Sequence, residues 1–378
     1  MYKMLPLAMN YDFSLYFDYA ATTPLLPAVA EKIASFNKQA MFFVNPSANY
    51  SHAHALRSTI NCWEEDILSQ LDSRHGQLIW TSGATESINT ALRGIASSYK
   101  HQARRILSIA TEHSATLATL EMLKNQGFSI EMLPVDSTGC LNPQTLAHAI
   151  DDNCLLFTIS HINNEIGTIQ PVAELAKICH DHGVFCHLDA AQSLGKIPIN
   201  VTELGYDLIS FSAHKCYGPK GIGALYIHQP QRLGIQPLLY GGNQQQGYRS
   251  GTLPLALIAG MYAAWLEVPQ LLHDYKRLES LRLQLHELLK HGVDPICPHT
   301  ACPHIRMYSL PPIKKQALER LRDRYCLAQG AACSHKRSHV LNALNIPQDR
   351  EVIRVALGYW SSDAAIRLLA SDITAALV

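Results

Sequence analysis

The sequence predicts an α/β fold with a mostly parallel central sheet, helices on both of its faces and a smaller α+β C-terminal domain. Short apolar segments alternate with amphipathic stretches from about residue 77 to residue 228, the pattern of repeated strand–helix units. Several of the apolar segments end in polar or reactive residues, as strands of such sheets do where a ligand binds. After residue 254, long helical patterns replace the alternation.

The individual elements follow from the period of the apolar residues. Strands are predicted at 77–82, 105–110, 155–161, 184–189, 207–212 and 223–228. Amphipathic helices are predicted near 85–98, 114–126, 141–150 and 172–182. Helical stretches such as 255–290 and a closing strand–helix segment predict the small domain. We therefore expect a large domain over residues 15–254 and a small domain formed by residues 1–14 and 255–378.

Composition narrows the class of function. The 378 residues include 31 Lys plus Arg and 31 Asp plus Glu, so no basic excess favours nucleic acid and a small-molecule substrate is expected. The chain shows no run of 18 or more apolar residues and no clear signal peptide near its N-terminus, which predicts a cytoplasmic protein without a membrane partner. The 10 cysteines have irregular spacing, which fits reduced thiols better than a disulfide framework.

Two runs rich in His and Cys resemble metal sites. In the run 179–189, alternation along a strand sends successive side chains to opposite faces, which argues against a zinc site there. The run CPHTACPH at 297–304 lies in a Pro-broken stretch and is interpreted as a connecting loop. We predict no metal in this protein.

Lys215 is the strongest candidate for a reactive group. It follows an apolar strand and precedes a glycine-rich turn in SFSAHKCYGPKGIGALYI, residues 210–227, so its backbone can approach a ligand closely. Desolvation would lower its pKa and free the amine to form a Schiff base with an aldehyde such as pyridoxal phosphate. An isolated lysine of this kind is otherwise an ordinary loop residue.

Two other segments supply what such a cofactor needs. Asp189 ends an apolar run, where a carboxylate can pair with a pyridinium nitrogen, and Gln192 follows within reach of the same ring. Residues 79–94 predict a strand, a turn and a helix, whose first N–H groups and hydroxyls can bind phosphate. That cradle would be formed by Ser82, Gly83, Ala84 and Thr85. The alternative is an ordinary helix N-cap.

The residues of the motifs and their order along the chain resemble those of the cysteine desulfurases, pyridoxal-phosphate enzymes of the class V aminotransferase group. The resemblance runs from about Tyr16 to Gly358, and nine blocks in the same order make it specific. The blocks are YFDYAATTPL (16–25), NPSANYSHAHALR (45–57), TSGATESIN (81–89), TEHSA (111–115), HINNEIGTIQPV (161–172), HLDAAQS (187–193), SFSAHKCYGPKGIGALY (210–226), YRSGTLP (248–254) and GAACS (330–334).

The resemblance implies the fold-type I architecture of aspartate aminotransferase and a homodimer with shared active sites. It implies that Lys215 carries the cofactor, Asp189 pairs with the pyridine nitrogen, Gln192 with the ring oxygen, and His113 stacks on the ring and moves protons. It also implies that Thr85, Ser212 and His214 bind the phosphate, together with Thr252 from the neighbouring subunit. Asn164 and Arg354 would hold the substrate carboxylate, a bidentate task that suits a guanidinium. The alternative for Arg354 is a surface ion pair, but the sequence IRVALG places it in an apolar strand, where an unpaired charge would be costly.

Cys333 decides which reaction the resemblance implies. A desulfurase needs a thiolate that accepts the substrate sulfur as a persulfide, and the positive charges of Lys336 and Arg337 would promote one. His335 and His339 are further candidates for tuning this thiol. The segment departs from the family pattern, because Cys333 precedes Val340 by only 7 positions and its loop has less reach. The sulfur acceptor, in iron-sulfur cluster assembly or tRNA thiolation, stays open.

Two alternatives to this interpretation make different predictions. The first is another pyridoxal-phosphate reaction on the same scaffold, such as a transaminase or a selenocysteine lyase, for which Cys333→Ala keeps turnover. The second is a non-catalytic scaffold or regulatory homologue, which forms no alanine and shows no cofactor absorbance.

Overall fold

The structure is a computed structural model that describes residues 12–38, 43–73, 75–101, 104–289, 292–297, 302–329 and 338–377. Its centre is a seven-stranded sheet in the order β1-β7-β6-β5-β4-β2-β3, in which β7 alone runs antiparallel to its neighbours. The strands are β1 Gly76–Thr81, β2 Arg105–Ile109, β3 Ser129–Leu133, β4 Cys154–Ser160, β5 Phe185–Asp189, β6 Leu208–Ser212 and β7 Gly223–His228.

Helices cover both faces of this sheet, as the sequence predicts. Alternate strand residues belong to two different buried clusters: Ile106 and Leu208 join one, whereas Leu107 and Ile209 join the other. Such alternation is the consequence of the two-residue period of a strand. The described helices are α1 Pro27–Lys38, α2 Ser51–Gln70, α3 Ala84–Tyr99, α4 Ser114–Asn125, α5 Pro143–Ala149, α6 Val172–Asp181, α7 Val201–Leu204, α8 Pro230–Leu233, α9 Leu255–Leu266, α10 Val268–His273, α11 Tyr275–Leu288, α12 Lys315–Tyr325, α13 His339–Ala343 and α14 Asp363–Ala376.

β1 forms one edge of the sheet, and a side chain from a distant loop covers part of it. Gln245 accepts a hydrogen bond from the Trp80 backbone N–H at 2.6 Å and donates one to the Trp80 carbonyl at 2.9 Å. The Gln245 amide thus mimics the backbone of a neighbouring strand. Gln245 itself has a positive φ of 50°, a conformation that is uncommon outside glycine.

A second, antiparallel sheet in the order β10-β9-β8 forms the smaller unit. Its strands are β8 Asp294–Ile296, β9 Ile305–Leu310 and β10 Glu351–Ala356. Buried residues of α11, α12 and α14 pack with this sheet, and Phe17 from the N-terminal arm joins the same cluster.

The division of the chain at residue 254 stays a prediction. The buried clusters of the described residues place Ile258 and Trp265 of α9 with the large sheet, whereas Leu278 of α11 belongs with the small one. Leu255–His273 is the single helical stretch among the described residues that is long and apolar enough to cross a membrane. Because α9 buries seven of its residues inside the protein, this is weak evidence for a membrane span.

Candidate active site

A cavity of about 680 Å³ opens at the carboxyl ends of β4, β5 and β6, where ligands bind in sheets of this kind. It brings together predicted residues from six separate parts of the chain. The predicted residues that line it are Ser82, Gly83, Ala84, Thr85, His113, Asn164, Asp189, Gln192, Ser212, His214, Lys215 and Arg354.

Lys215 presents its amine in a short 3₁₀ turn directly after β6. Its Nζ donates hydrogen bonds to the backbone carbonyls of Ala20 (2.6 Å) and Ala21 (2.7 Å). Burial, together with the charges of Arg354 and Lys196, lowers the pKa of Lys215 to about 8. With this pKa, roughly a tenth of the amine is neutral, and nucleophilic, at pH 7, and about half of it near pH 8.

Asp189 and His113 form an ionisable pair on the floor of the cavity. Asp189 ends β5 and is buried, and its Oδ1 accepts the Ala191 N–H at 2.9 Å. Burial raises the pKa of Asp189, whereas the neighbouring imidazole of His113 opposes that shift. Burial likewise lowers the pKa of His113, which Asp189 opposes. The two side chains thus favour each other's charged forms, as a carboxylate meant for a cationic ring nitrogen requires.

The N-terminus of α3 faces the cavity without a side-chain cap. Gly83 occupies the N-cap position with φ 151°, and no side chain accepts a hydrogen bond from the first turn there. A Cβ built on Gly83 meets nothing within 4 Å, so the space before the helix is open. The alternative of an ordinary N-cap is therefore wrong. The Gly83 N–H makes only a long contact of 3.4 Å with Thr81 Oγ1, and the N–H groups of the first turn suit a phosphate.

The remaining cofactor candidates lie close by. The His214 Nδ1 hydrogen-bonds with the Thr22 hydroxyl at 3.1 Å, and burial lowers the pKa of His214 to about 4. Gln192 donates to the Ala20 carbonyl at 2.8 Å, which leaves its buried Oε1 without a partner among the described residues. Ser212 ends β6 and is buried.

Arg354 is fully buried on the opposite wall, on β10. Its Nη2 lies 2.6 Å from the Asp18 carboxylate and its Nη1 donates to the Asn164 carbonyl at 2.7 Å. The Nε has no partner among the described residues. The alternative of a surface ion pair is wrong, because the guanidinium is buried and lines the cavity.

Two predicted residues are not brought to this cavity. Thr252 lines a separate groove together with Phe36 and Leu253, so within one chain it does not reach Lys215. Cys333 lies outside the described residues, and its predicted role rests on the sequence.

Sequence reasoning missed three residues around the site, Asp18, Lys196 and Glu112, and named a fourth, His339, only as a candidate for tuning Cys333. Asp18 pairs with Arg354, and Lys196 donates to the Lys215 carbonyl at 3.0 Å from a buried position. His339 lines the cavity and contacts the backbone carbonyl of Glu112 at 2.7 Å. Burial raises the pKa of Glu112 to about 8. Asp18 lay inside the quoted motif YFDYAATTPL and Glu112 inside TEHSA, and these motifs were the available signals.

Residues 15–369 match the family described as Aminotransferase class-V. The chain belongs to this family. Enzymes of the class-V aminotransferase family depend on pyridoxal phosphate, and the sequence resemblance is thereby confirmed.

Curated relatives narrow the membership to the cysteine desulfurases. The cysteine desulfurase IscS of Photorhabdus laumondii subsp. laumondii is 36% identical over 365 residues, which cover 93% of this chain and 90% of that protein. The cysteine desulfurase IscS of Proteus mirabilis is 35% identical over 375 residues, covering 96% of this chain and 92% of that protein. At this identity and coverage, the chain is a class-V aminotransferase of the cysteine desulfurase family.

Solved structures agree with the predicted fold. A NifS-like protein superposes with a TM-score of 0.87 at 31% identity, covering 95% of this chain and 97% of that chain. SspA in complex with cysteine superposes with a TM-score of 0.81 at 30% identity, covering 92% of this chain and 99% of that chain. The fold-type I prediction is confirmed.

The residues of the cavity fit pyridoxal phosphate. They supply a partly neutral amine for its aldehyde, a buried carboxylate for its ring nitrogen and an open helix N-terminus for its phosphate. The unpaired Oε1 of Gln192 marks a polar position that the protein alone leaves unsatisfied.

Proposed function

We propose that this protein is a pyridoxal-phosphate-dependent cysteine desulfurase that converts L-cysteine to L-alanine and places the sulfur on Cys333 as a persulfide. The observation that carries the proposal is the meeting of the Lys215 amine, the buried Asp189 and the uncapped N-terminus of α3 in one cavity. The similarity to enzymes named cysteine desulfurase supports the choice of reaction.

Six residues would hold the cofactor. Lys215 would bind its aldehyde covalently, Asp189 would pair with the ring nitrogen and Gln192 with the ring oxygen. Thr85, Ser212 and His214 would bind the phosphate, joined by the N–H groups of Gly83 and Ala84. When bound, pyridoxal phosphate draws electrons away from the α-carbon of an amino acid.

Lys215 and His113 are the proton carriers that this site offers. The Lys215 amine, with its pKa near 8, can take a proton from the substrate and return it within the working pH range. Burial lowers the pKa of His113 and so favours its neutral form. Its Nδ1 accepts the Ala115 N–H at 3.1 Å, so in the neutral ring Nε2 carries the proton and can donate it.

Arg354 and Asn164 would orient the substrate through its carboxylate. Arg354 is fixed by Asp18 on one side and by the Asn164 carbonyl on another, so its guanidinium enters the cavity wall in a single orientation. An anion is favoured here because the Arg354 Nε has no hydrogen-bond partner among the described residues and the Lys215 amine adds positive charge to the same cavity.

Sulfur transfer requires a thiolate at the cavity. The Cys333 thiolate would attack the substrate sulfur, so that an S–S bond forms while the C–S bond of cysteine breaks. The electron pair and one proton go to the carbon, which becomes the methyl group of alanine. One cysteine and one enzyme thiol thus give one alanine and one persulfide, with no external oxidant.

We further propose that two chains form a homodimer in which Thr252 of each reaches the cofactor phosphate of the other. Thr252 lies in a groove on the same chain rather than in its own cavity, which supports a contribution across an interface. A cytoplasmic location is also proposed, and the free state of the nine described cysteines supports it. The protein that receives the sulfur belongs to iron-sulfur cluster assembly or tRNA thiolation.

Alanine release from L-cysteine by the yellow holoenzyme, with a thiol reductant present, tests the proposal. The wild type should form alanine and sulfide, whereas Cys333→Ala should keep the visible cofactor band and stop. Equal alanine release by both proteins would show that Cys333 is not needed and would indicate a lyase that uses another acid. A protein that binds no cofactor would support a scaffold function instead.

A further inference from the structure

A cluster of three potential metal ligands lies at the amino end of the large sheet, away from the cavity described above. His180 stands near the end of α6, Cys186 near the start of β5 and Asp207 directly before β6. Asp189 closes the opposite, carboxyl end of the same strand β5. The cluster is thus separated from the active site by the length of a strand.

The three ligand atoms form a nearly regular triangle. His180 Nε2 lies 3.6 Å from Cys186 Sγ and 3.6 Å from Asp207 Oδ2, and the third edge, from Sγ to Oδ2, is 3.4 Å. Bonds of about 2.0–2.3 Å from zinc to nitrogen, oxygen and sulfur place tetrahedral ligands about 3.3–3.6 Å apart. The observed edges match a face of such a tetrahedron.

The contact between His180 and Asp207 is the edge of the triangle that a hydrogen bond does not explain, whereas the two edges to Cys186 Sγ are within hydrogen-bond range for sulfur. At 3.6 Å it is too long for a hydrogen bond between an imidazole and a carboxylate. The Asp207 Oδ2 also accepts the Cys186 backbone N–H at 2.8 Å, which fixes the carboxylate as outer partners fix metal ligands. The S–H of Cys186 can otherwise donate to Asp207 or to the Gly205 carbonyl at 3.8 Å.

The site is open on one side and closed on the other. Cys186 is fully buried, whereas His180 is exposed and, with Asp207, lines a cleft of about 310 Å³. His228 and Arg232 line the same cleft. A cation there would have three protein ligands and a fourth position open to water, and the thiolate and carboxylate would balance the two charges of Zn²⁺.

We propose that His180, Cys186 and Asp207 bind a divalent cation of the zinc class, with a fourth position open to the cleft. Alternation of side chains along the strand argued against zinc in the run 179–189, and this argument is correct for His187. His187 points to the other face, where it hydrogen-bonds with Thr158 and Ser210. Asp207, which lies outside the run, completes the set.

Cobalt binding to the holoenzyme tests this site. Tetrahedral Co²⁺ has d–d bands at wavelengths beyond the cofactor's absorption, so one equivalent per chain should give a visible spectrum. His180→Ala removes an exposed ligand and should weaken cobalt binding by more than about tenfold, because even loss of an outer partner costs about 10–100-fold. His182→Ala, an exposed histidine two positions along, is the matched control and should bind cobalt as the wild type does.

Cys186→Ser keeps the side-chain volume and should abolish the tetrahedral bands, which separates thiolate ligation from binding by oxygen and nitrogen alone. The same samples should keep the cofactor band, because the cluster lies at the other end of the sheet. Wild-type protein without tetrahedral bands, or cobalt binding unchanged in His180→Ala, would overturn the proposal.

Discussion

The two walls of the cavity are built in different ways. The strand wall is formed by Gly83, His113, Asp189 and Lys215, which lie at the end of a strand or in the turn after one, all in the same sheet. The Arg354 wall, formed by His339 and Arg354, comes from the C-terminal part of the chain and depends on Asp18 at the other end of the sequence. The strand wall places reactive groups through local structure, whereas the Arg354 wall places a charge through a long-range ion pair.

This difference separates chemistry from substrate positioning. Damage to the strand wall should remove the reaction and leave the fold, because its polar groups face an open cavity. Damage to the Arg354 wall should lower stability as well, because a buried charge loses its partner. The predictions below test that division, in order of expected effect.

Lys215→Ala should abolish alanine formation, with a loss of at least about 10²–10⁴-fold, the usual contribution of a positioned proton carrier alone. The visible band of covalently bound cofactor should disappear with it. Lys220→Ala, which removes a second lysine lining the same cavity, is the matched control and should keep the band. Retention of the band in Lys215→Ala would assign the covalent link to another amine.

Arg354→Met should destabilise the protein by about 3–5 kcal/mol, since removal of one partner of a buried pair leaves the other uncompensated. Urea unfolding at one fixed protein concentration measures the change. Adding Asp18→Asn should restore part of the stability, because the double variant holds no unpaired charge. Arg367→Met breaks an exposed pair with Asp363 and should cost less than about 1 kcal/mol. Equal costs for both arginines would remove the distinction between the walls.

The lowered pKa of Lys215 predicts a pH dependence for cofactor loading. Below about pH 8 the amine is protonated and cannot attack an aldehyde, and above it the neutral form dominates. The rate of band growth after pyridoxal phosphate is added to the apoprotein should therefore rise with pH and reach half its maximum near 8. An ordinary lysine would reach it near about 10.4. A midpoint above pH 10 would show that burial does not tune this amine.

Gly83→Ala should have the smallest effect, a loss of about 1–2 kcal/mol of stability from the backbone conformation alone, accompanied by weaker retention of the cofactor. Its φ of 151° is disfavoured for alanine although the space around it is open. Gly183→Ala, with φ 70° and equally open surroundings, is the control far from the cavity. Urea unfolding and cofactor release on dilution should separate the two, because the control loses stability alone.

The strand wall and much of the sheet could both be predicted from the sequence, because the short apolar runs that mark the strands also mark where each strand ends. Six strands are confirmed within a few residues, since their apolar runs are short and bounded by turn residues. The strand Ser129–Leu133 was missed because it lies at the sheet edge and only Leu133 is buried. The reversed direction of Gly223–His228 was also not predicted, because an apolar run carries no sign of its direction.

The Arg354 wall was harder to predict. Apolar neighbours in IRVALG indicated that Arg354 is buried, yet nothing local named its partner, which lies 336 positions away. The position of Lys196 near the site was not predicted for a similar reason. Its side chain contacts the backbone carbonyl of Lys215, and a sequence pattern does not indicate such a contact. Long-range pairing of this kind is decided by the tertiary fold.

The contact of Gln245 with the edge strand β1 bears on how this protein avoids self-association during folding. An uncovered edge strand is a template on which another chain can add, and an exposed apolar edge is a site of aggregation. The amide of Gln245 occupies both hydrogen-bonding groups of Trp80 in the middle of the sequence Leu78-Ile79-Trp80-Thr81. A single side chain thus takes up backbone groups that a foreign strand would use at this edge.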